Sequence, residues 1–182
     1  GVTRRDAVSL LKSPNYFGPM MVHCGDADGY LGGIAHQYPD IVKPCLQTSG
    51  PDPSAHRIVG LYMMTVNGQL MFIADATINI YPDSRTLAEI AVQTARVARR
   101  FGVKPKVAML SFSNFGTSGE LRTDRIEEAI SMARELDNDL IIDGPMQADT
   151  ALVPDRQKEF PFMEFEGSAN VLVCPNLASA NI

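Results

Sequence analysis

The feature that most limits the possible fold of this chain is the alternation of short apolar runs with helical patterns. The runs at residues 107–112, 140–142 and 169–174 have the length and composition of buried strands, and amphipathic segments separate them. Strands that alternate with helices favour βαβ units, in which helices cover both faces of a mostly parallel sheet. We therefore predict an α/β fold, a three-layer α/β/α sandwich with a mostly parallel sheet and one antiparallel hairpin.

The clearest local signal is Asn67-Gly68, which lies between two apolar, β-prone runs at residues 56–66 and 69–74. A type I′ turn needs a positive φ angle at both central positions, and Asn-Gly is a preferred pair there. The two runs are therefore predicted to pair as the antiparallel hairpin.

Capping patterns and prolines predict where the helices begin. Residues 3–6 resemble a capping box and predict a short helix. Residues 38–47 are predicted to form a second helix that begins at Pro39. A second capping box at residues 86–89 predicts a long amphipathic helix that ends before Gly102. Residues 19–24 form a compact apolar run and predict a buried strand. The core face of the helix that follows residue 119 is predicted to be Ile126, Ala129, Ile130, Ala133 and Leu136.

Length and charge exclude several classes of protein. The 182 residues suit one domain, and 45% apolar with 20% charged residues excludes disordered and fibrous chains. A net charge of -5 argues against nucleic acid or an anionic membrane as the main partner. No apolar stretch reaches the roughly 18 residues of a membrane helix, and three widely spaced cysteines fit a reducing compartment. We expect a cytoplasmic protein with no membrane or nucleic acid partner.

Ligand-binding residues are expected directly after the strands, because ligands of open α/β sheets bind beyond the carboxyl ends of the strands. The richest such segment is residues 111–119, which carries four hydroxyl side chains, one amide and two glycines ahead of a helix. A phosphate cradle and a capped turn built from small residues are equally good interpretations of this composition. Asp75 and Asp143 follow predicted strands, where either cleft groups or turn formation would account for them.

Several common sites are absent from the sequence. Neither a GxxxxGK[ST] loop nor a GxGxxG fingerprint occurs, so local triphosphate or dinucleotide binding is not indicated. The His and Cys spacings match no finger or EF-hand loop, and no metal site is predicted.

Read in order, the segments after about residue 22 resemble the phosphate acetyl/butyryltransferase family, and together they cover nearly the whole remaining chain. The segment at 43–47 carries Lys43 where the family motif has Arg, which keeps the charge but loses a bidentate fork for phosphate. The matching segments are 27–29, 32–36, 43–47, 74–79, 87–90, 107–113, 142–149 and 169–177.

The resemblance implies a two-lobed α/β/α architecture whose lobes enclose a cleft for a coenzyme A thioester and phosphate. Residues 1–182 are expected to be a fragment of this domain that supplies mainly one lobe. The family's reaction moves an acetyl group between coenzyme A and phosphate by direct attack of a thiolate on acetyl phosphate. The family's Ser-Arg-Gly catalytic segment lies beyond the segment at 169–177, so no catalytic residue is assigned in this chain.

Ligand groups for coenzyme A or phosphate are carried over from the family motifs. Lys43 is expected to supply charge for phosphate, and the hydroxyl residues of the 111–119 loop to hold phosphate or pantetheine. The full predicted set is Lys43, Asp75, Asn79, Ser111, Ser113, Thr117, Ser118 and Asp143.

Two main hypotheses about function follow from the resemblance. Residues 113–118 resemble the variant found behind bacterial NADP-dependent malic enzymes, which convert malate to pyruvate by oxidative decarboxylation. The first hypothesis is therefore a regulatory and oligomerising domain that senses acetyl-CoA or phosphate, with NADP and a divalent metal bound only by the parent. Its partners would be the malic enzyme domain of the same chain and further copies in a homo-oligomer. The alternative is one lobe of a true phosphate acetyltransferase or butyryltransferase, and a third hypothesis is a purely structural dimerisation domain.

Overall fold

The computed structural model describes residues 2–51, 55–75, 77–116 and 124–182. The chain divides into two compact units, Gly1–His56 and Arg57–Ile182. The expectation that the chain supplies mainly one lobe of a larger fold stays a prediction.

The described part of the first unit is helical. Its helices are α1 (Arg4–Leu10), α2 (Pro14–Cys24) and α3 (Tyr38–Thr48). The predicted cap of α1 is confirmed, because the Thr3 hydroxyl accepts a hydrogen bond from the Asp6 N–H. The predicted start of α3 is confirmed as well, with proline in its first turn.

The predicted strand at residues 19–24 is wrong, since these residues form the second half of α2. Ser13 and Pro14 begin this helix, and Gly25 ends it in the left-handed conformation with φ 79°. A six-residue apolar run does not distinguish a strand from one side of a helix, and the flanking Pro and Gly carried the better signal.

The described residues of the second unit form a five-stranded sheet. Its order is β1-β2-β5-β3-β4, with β1 antiparallel to β2 and the other neighbours parallel. The α/β class, the mostly parallel sheet and the single antiparallel pair are thus confirmed. The strands are β1 (Leu61–Val66), β2 (Gln69–Ala74), β3 (Lys106–Leu110), β4 (Ile141–Met146) and β5 (Val171–Val173).

The Asn67-Gly68 hairpin forms as predicted. Asn67 and Gly68 have φ angles of 50° and 78°, the positive values that a type I′ turn requires. Pairing runs from Leu61 opposite Ala74 to Val66 opposite Gln69, so the first strand begins five residues later than the apolar run suggested.

Helices and loops cover the sheet through two apolar clusters. One face packs against α4 (Ser84–Arg100) and α5 (Asp124–Leu136), and the other packs against α6 (Ala148–Leu152) and residues near Phe165. Side chains of β3 alternate between the clusters, with Val107 and Met109 on the first face and Ala108 on the second. Two short helices, α7 (Pro154–Gln157) and α8 (Leu177–Ala180), complete the unit.

Two details of the long helices differ from expectation. The N-cap of α4 is Asp83 rather than Thr86, because the Asp83 carboxylate accepts a hydrogen bond from the Thr86 N–H. Leu136, predicted to lie on the core face of α5, is exposed at the last residue of that helix, whereas the other four predicted core residues are buried. Among the described residues, no helix is both long and apolar enough to cross a bilayer.

Candidate functional site

A crevice of about 680 Å³ lies at the carboxyl edge of the sheet in the second unit. It forms where β3 and β5, which are parallel neighbours, end and their chains separate toward α5 and α8. This is the place where ligands of open α/β sheets bind. The lining residues are Leu110, Ser111, Phe112, Arg125, Ile126, Ala148, Cys174, Pro175, Asn176 and Ser179.

The walls of this crevice combine apolar side chains with a few polar groups, as small-molecule sites usually do. Ser111, Arg125, Asn176 and Ser179 supply hydroxyl, guanidinium and amide groups. The remaining lining side chains are apolar or weakly polar. A ligand with anionic groups and an apolar body matches this composition.

Arg125 is the cationic group of the crevice. It lies in the first turn of α5, and its Nη2 donates a hydrogen bond to the Pro175 carbonyl oxygen at 3.0 Å. This bond joins the start of α5 to the chain after β5 and holds the guanidinium at the crevice. A cation in a helix's first turn gains nothing from the helix dipole, so its position suggests a role other than stabilising α5. Sequence patterns did not identify Arg125 as a site residue. A basic residue in the predicted first turn of α5 was the signal that could have identified it.

The loop at residues 111–116 is tied firmly to the end of β4. The Ser111 N–H donates to the Met146 carbonyl at 2.8 Å, and the Phe115 N–H donates to the Pro145 carbonyl at 2.6 Å. Asn114 and Gln147 exchange two further bonds, since the Gln147 N–H donates to Asn114 Oδ1 and Asn114 Nδ2 donates to Gln147 Oε1. Ser111 therefore lines the crevice, and hydrogen bonds to the end of β4 hold its backbone in place.

Ser113 belongs to the same loop but is not part of the crevice wall. Its side chain is buried, and its hydroxyl has no hydrogen-bond partner within the described portion of the chain. Thr117 and Ser118, the other two predicted hydroxyl residues, lie outside the described residues. Of the predicted loop residues, Ser111 is thus the one that the structure places in the crevice.

Asp75 organises the loop after β2. Its Oδ1 accepts hydrogen bonds from the N–H groups of Gly60, Thr77 and Ile78, at 3.3, 3.1 and 3.1 Å. Its Oδ2 accepts from the Asn79 N–H at 2.9 Å and from the Asn79 side-chain amide, which also donates to the Ile58 carbonyl. Both carboxylate oxygens are engaged in this way, and neither residue lines the crevice. These contacts favour a structural role for Asp75 and Asn79 over the predicted ligand role.

Asp143 lies within β4 rather than after it, which differs from the expected short strand at 140–142. Its carboxylate accepts 2.8 Å bonds from the N–H groups of Gly144 and Glu164. Burial raises the pKa of Asp143 above its ordinary value, although these two N–H bonds oppose the shift. Like Asp75, Asp143 is not part of the crevice wall, and its carboxylate accepts hydrogen bonds from nearby backbone N–H groups.

Lys43 lies on α3 of the first unit and is exposed. Its proposed contact with phosphate stays a prediction.

Cys174 contributes a neutral thiol to the crevice wall. It follows β5 directly and is buried. Burial raises the pKa of Cys174 to about 11, so the thiol carries no charge near neutral pH. It acts there as a small, weakly polar wall group rather than as a ready nucleophile.

Asn176, which sequence analysis placed after the last strand, lines the crevice and caps α8. Its Oδ1 accepts hydrogen bonds from the N–H and the hydroxyl of Ser179 at 2.9 and 3.0 Å. Within residues 2–51, 55–75, 77–116 and 124–182, no group of three or more His, Cys, Asp or Glu side chains is arranged to hold a metal ion.

Comparison with known proteins finds a family whose sequence model matches this chain. The sequence model of the phosphate acetyl/butaryl transferase family matches residues 1–182. The phosphate acetyltransferase of Bacillus subtilis (strain 168) is 40% identical over 181 residues, which are 99% of this chain and 56% of that protein. The chain therefore spans little more than half the length of this relative.

Two solved structures are similar to the chain. The EutD phosphotransacetylase from Staphylococcus aureus superposes with a TM-score of 0.87 at 39% identity, covering 99% of this chain and 56% of that one. A phosphotransacetylase from Streptococcus pyogenes gives a TM-score of 0.86 at 40% identity, with 98% and 55% covered. Both likenesses extend over the two units of the chain.

Proposed function

Because the chain belongs to the phosphate acetyl/butaryl transferase family, we propose that the full-length protein is a phosphate acetyltransferase. In this role it transfers an acetyl group between coenzyme A and phosphate, and the present chain supplies part of the substrate site. The observation that carries the proposal is the crevice at the carboxyl edge of β3 and β5, with Arg125 fixed at its wall.

Both proposed substrates carry phosphate groups, and Arg125 provides a suitable charge for one of them. A guanidinium forms strong, charge-assisted hydrogen bonds with phosphate oxygens. Ser111, Asn176 and Ser179 add neutral polar groups, while Leu110 and neighbouring apolar side chains suit the less polar parts of a thioester. The arrangement binds and orients an anionic ligand, and it assigns no group in the chain to the bond-breaking step.

The reaction implied by the family resemblance begins with loss of the proton from the coenzyme A thiol, and no described residue of this chain is assigned as the base that takes it. The thiolate sulfur of coenzyme A forms a bond to the acetyl carbon of acetyl phosphate. The bond between that carbon and the phosphate oxygen breaks, and phosphate leaves with the electron pair. Positive charge held near the leaving phosphate favours this step, and none of the described residues is assigned to supply it.

The malic enzyme hypothesis receives less support than the acyltransferase hypothesis. The three relatives described above are named as a phosphate acetyltransferase or as phosphotransacetylases, and none of these names refers to malate or NADP. Regulation of a malic enzyme, NADP, a metal in the parent and a homo-oligomer therefore stay predictions. Light scattering of the full-length protein measures the oligomeric state directly.

The proposal is tested on the full-length protein by following acetyl-CoA formation from acetyl phosphate and coenzyme A. We expect activity in the wild type, and a rise of about 10- to 100-fold in KM for one phosphate-bearing substrate in Arg125→Gln, the usual cost of losing a charged hydrogen bond. The matched control is Arg156→Gln, which removes an exposed arginine that pairs with Asp149 and Glu159 and is not part of the crevice wall. Its KM values should stay within twofold of wild type.

Two results would contradict this assignment separately. A full-length protein that forms no acetyl-CoA would overturn the proposed activity. Activity with equal KM values in the Arg125 and Arg156 variants would leave the activity standing and remove the crevice as the anion site.

A further inference from the structure

Two loops meet beside the crevice, and a pair of amide side chains joins them. Asn114 lies in the loop after β3, and Gln147 directly follows β4. The Gln147 N–H donates to Asn114 Oδ1 at 2.8 Å, and Asn114 Nδ2 donates to Gln147 Oε1 at 3.0 Å. Gln147 Nε2 also donates to the Phe112 carbonyl oxygen at 3.0 Å. Both ends of the Gln147 amide are therefore bonded to the same loop, and we call these two residues the amide pair.

The amide pair lies next to residues that line the crevice but does not line it itself. Phe112, from the loop after β3, and Ala148, the first residue of α6, are both part of the crevice wall. Neither Asn114 nor Gln147 belongs to that wall. The amide pair therefore acts on a ligand only through the wall residues that it holds, which makes its members positioning residues.

The two ends of this loop are held by backbone hydrogen bonds that do not need the amide pair. The Ser111 N–H donates to the Met146 carbonyl at 2.8 Å, and the Phe115 N–H donates to the Pro145 carbonyl at 2.6 Å. The amide pair holds the segment between these two bonds. Its glutamine is exposed, and a hydrogen bond near water adds little net stability because water replaces it when it breaks. Loss of the amide pair should therefore loosen this segment and leave the fold intact.

Resting on the proposed function, we infer that Asn114 and Gln147 position the loop at residues 111–115, so that the crevice has its binding shape before a substrate arrives. A loop that is ordered in the free protein spares the ligand the entropic cost of ordering it. Removal of the amide pair then weakens substrate binding and leaves the reaction of the bound substrate nearly unchanged. The expected kinetic signature is a raised KM with the same kcat.

The test measures KM and kcat for acetyl-CoA formation by variants of the full-length protein. We expect Gln147→Ala to raise the KM of coenzyme A or of acetyl phosphate by about 3- to 10-fold, the cost of ordering a side chain on binding, with kcat changed less than about twofold. Asn114→Ala should have the same effect. The double variant should be no more than about twofold worse than the more affected single variant, because both substitutions break one shared contact.

The matched control is Gln93→Ala. Gln93 lies on α4, and its Nε2 donates to the Arg57 carbonyl oxygen at 3.2 Å, so it loses a similar bond between side chain and backbone, and neither residue is part of the crevice wall. Its KM values should stay within about twofold of wild type, and the Tm of either glutamine variant should fall by no more than about 4 °C. A measurement on the wild type alone guards against misfolding of the variants: without substrate, the amides of residues 111 and 115 should exchange hydrogen at least about 100-fold more slowly than in an unstructured chain.

The inference is overturned if these amides of the free wild type exchange as fast as in an unstructured chain, or if Gln147→Ala and Gln93→Ala change KM equally. It is also overturned if the two single effects multiply in the double variant, or if kcat falls while KM stays the same. These outcomes differ from a failure of the proposed function, which is shown by absence of acetyl-CoA formation in the wild type. An active wild type whose KM values do not respond to Gln147→Ala retains the activity and loses only this positioning role.

Discussion

At the scale of single residues, the backbone at Gly144 lies close to the neighbouring strand β3. This residue of β4 has a φ angle of 139°, which side-chain-bearing residues rarely adopt. A Cβ atom there would lie 2.6 Å from the Met109 carbonyl oxygen and 3.1 Å from the Met109 Cβ. The φ angle at position 144 and the short distance to Met109 of β3 therefore both require glycine in this position of β4.

We predict that Gly144→Ala lowers the free energy of unfolding by roughly 2–5 kcal/mol, because an unfavourable φ angle and a steric clash add. Urea unfolding followed by circular dichroism measures the loss. Gly102→Ala is the control, since Gly102 also has a positive φ angle, 74°, but a Cβ there meets nothing within 4 Å. An equal loss in both variants would show that contact with Met109 is unimportant.

The buried aspartates show that residue type alone does not reveal which groups a carboxylate contacts. Asp75 and Asp143 were predicted as ligand groups because an acidic residue near a strand end suits a cleft. In the fold, their oxygens accept backbone N–H groups, including that of Gly60, which lies fifteen residues before Asp75. A carboxylate's partners at such a distance along the chain depend on how the loops pack.

At the scale of elements, α4 depends on a specific cap. The Asp83 carboxylate accepts the Thr86 N–H at 2.8 Å, and hydrogen bonds from the Thr86 hydroxyl and the Thr86 N–H lower the pKa of Asp83. The helix then runs for 17 residues and packs Leu87, Ile90 and Ala91 into the core.

We expect Asp83→Ala to reduce the free energy of unfolding by about 1 kcal/mol, within the range of 0.5–2 kcal/mol seen for lost N-caps. Thermal or urea unfolding at neutral pH provides the measurement. The control is Asp139→Ala, which replaces an exposed aspartate in the turn before β4 and should change stability by less than about 0.5 kcal/mol. A loss at Asp139 as large as that at Asp83 would contradict a specific capping role.

Elements with strong local signals were predictable, and short apolar runs were not. The Asn67-Gly68 turn and the amphipathic pattern of α4 carry their geometry in adjacent residues, and both formed. Residues 19–24 carry no such information, because an apolar hexapeptide suits the buried side of a helix or a strand equally. The choice of helix for α2 came from its flanks, Pro14 and Gly25, together with packing against α3.

At the scale of the whole molecule, stability should respond to pH through Asp143. Burial raises the folded-state pKa of this carboxyl above its unfolded value of ~3.9, so between the two values the folded protein binds more protons than the unfolded chain. The free energy of unfolding therefore receives a contribution that is fully present below ~3.9 and is lost as pH rises through the folded-state pKa.

We predict that Asp143→Asn, which does not titrate, gains stability relative to wild type as the pH rises from about 3.5 through this window. Urea unfolding of both proteins at a series of pH values measures the difference. A constant offset is expected from the changed hydrogen bond to Glu164 and does not affect the slope. A difference independent of pH, or one of the same slope in Asp139→Asn, would rule out Asp143 as its source.

Features that depend on neighbouring residues or on the order of segments were predictable from the sequence. They are the α/β class, the hairpin, the cap of α1 and the family resemblance. Sequence patterns did not predict three other features. These are the insertion of β5 between β2 and β3, the hydrogen bond from Arg125 to the Pro175 carbonyl, and the crevice at this edge of the sheet. These features join segments up to about a hundred residues apart, and a contact of that kind depends on side-chain packing across the folded sheet, which no pattern in one stretch of sequence contains.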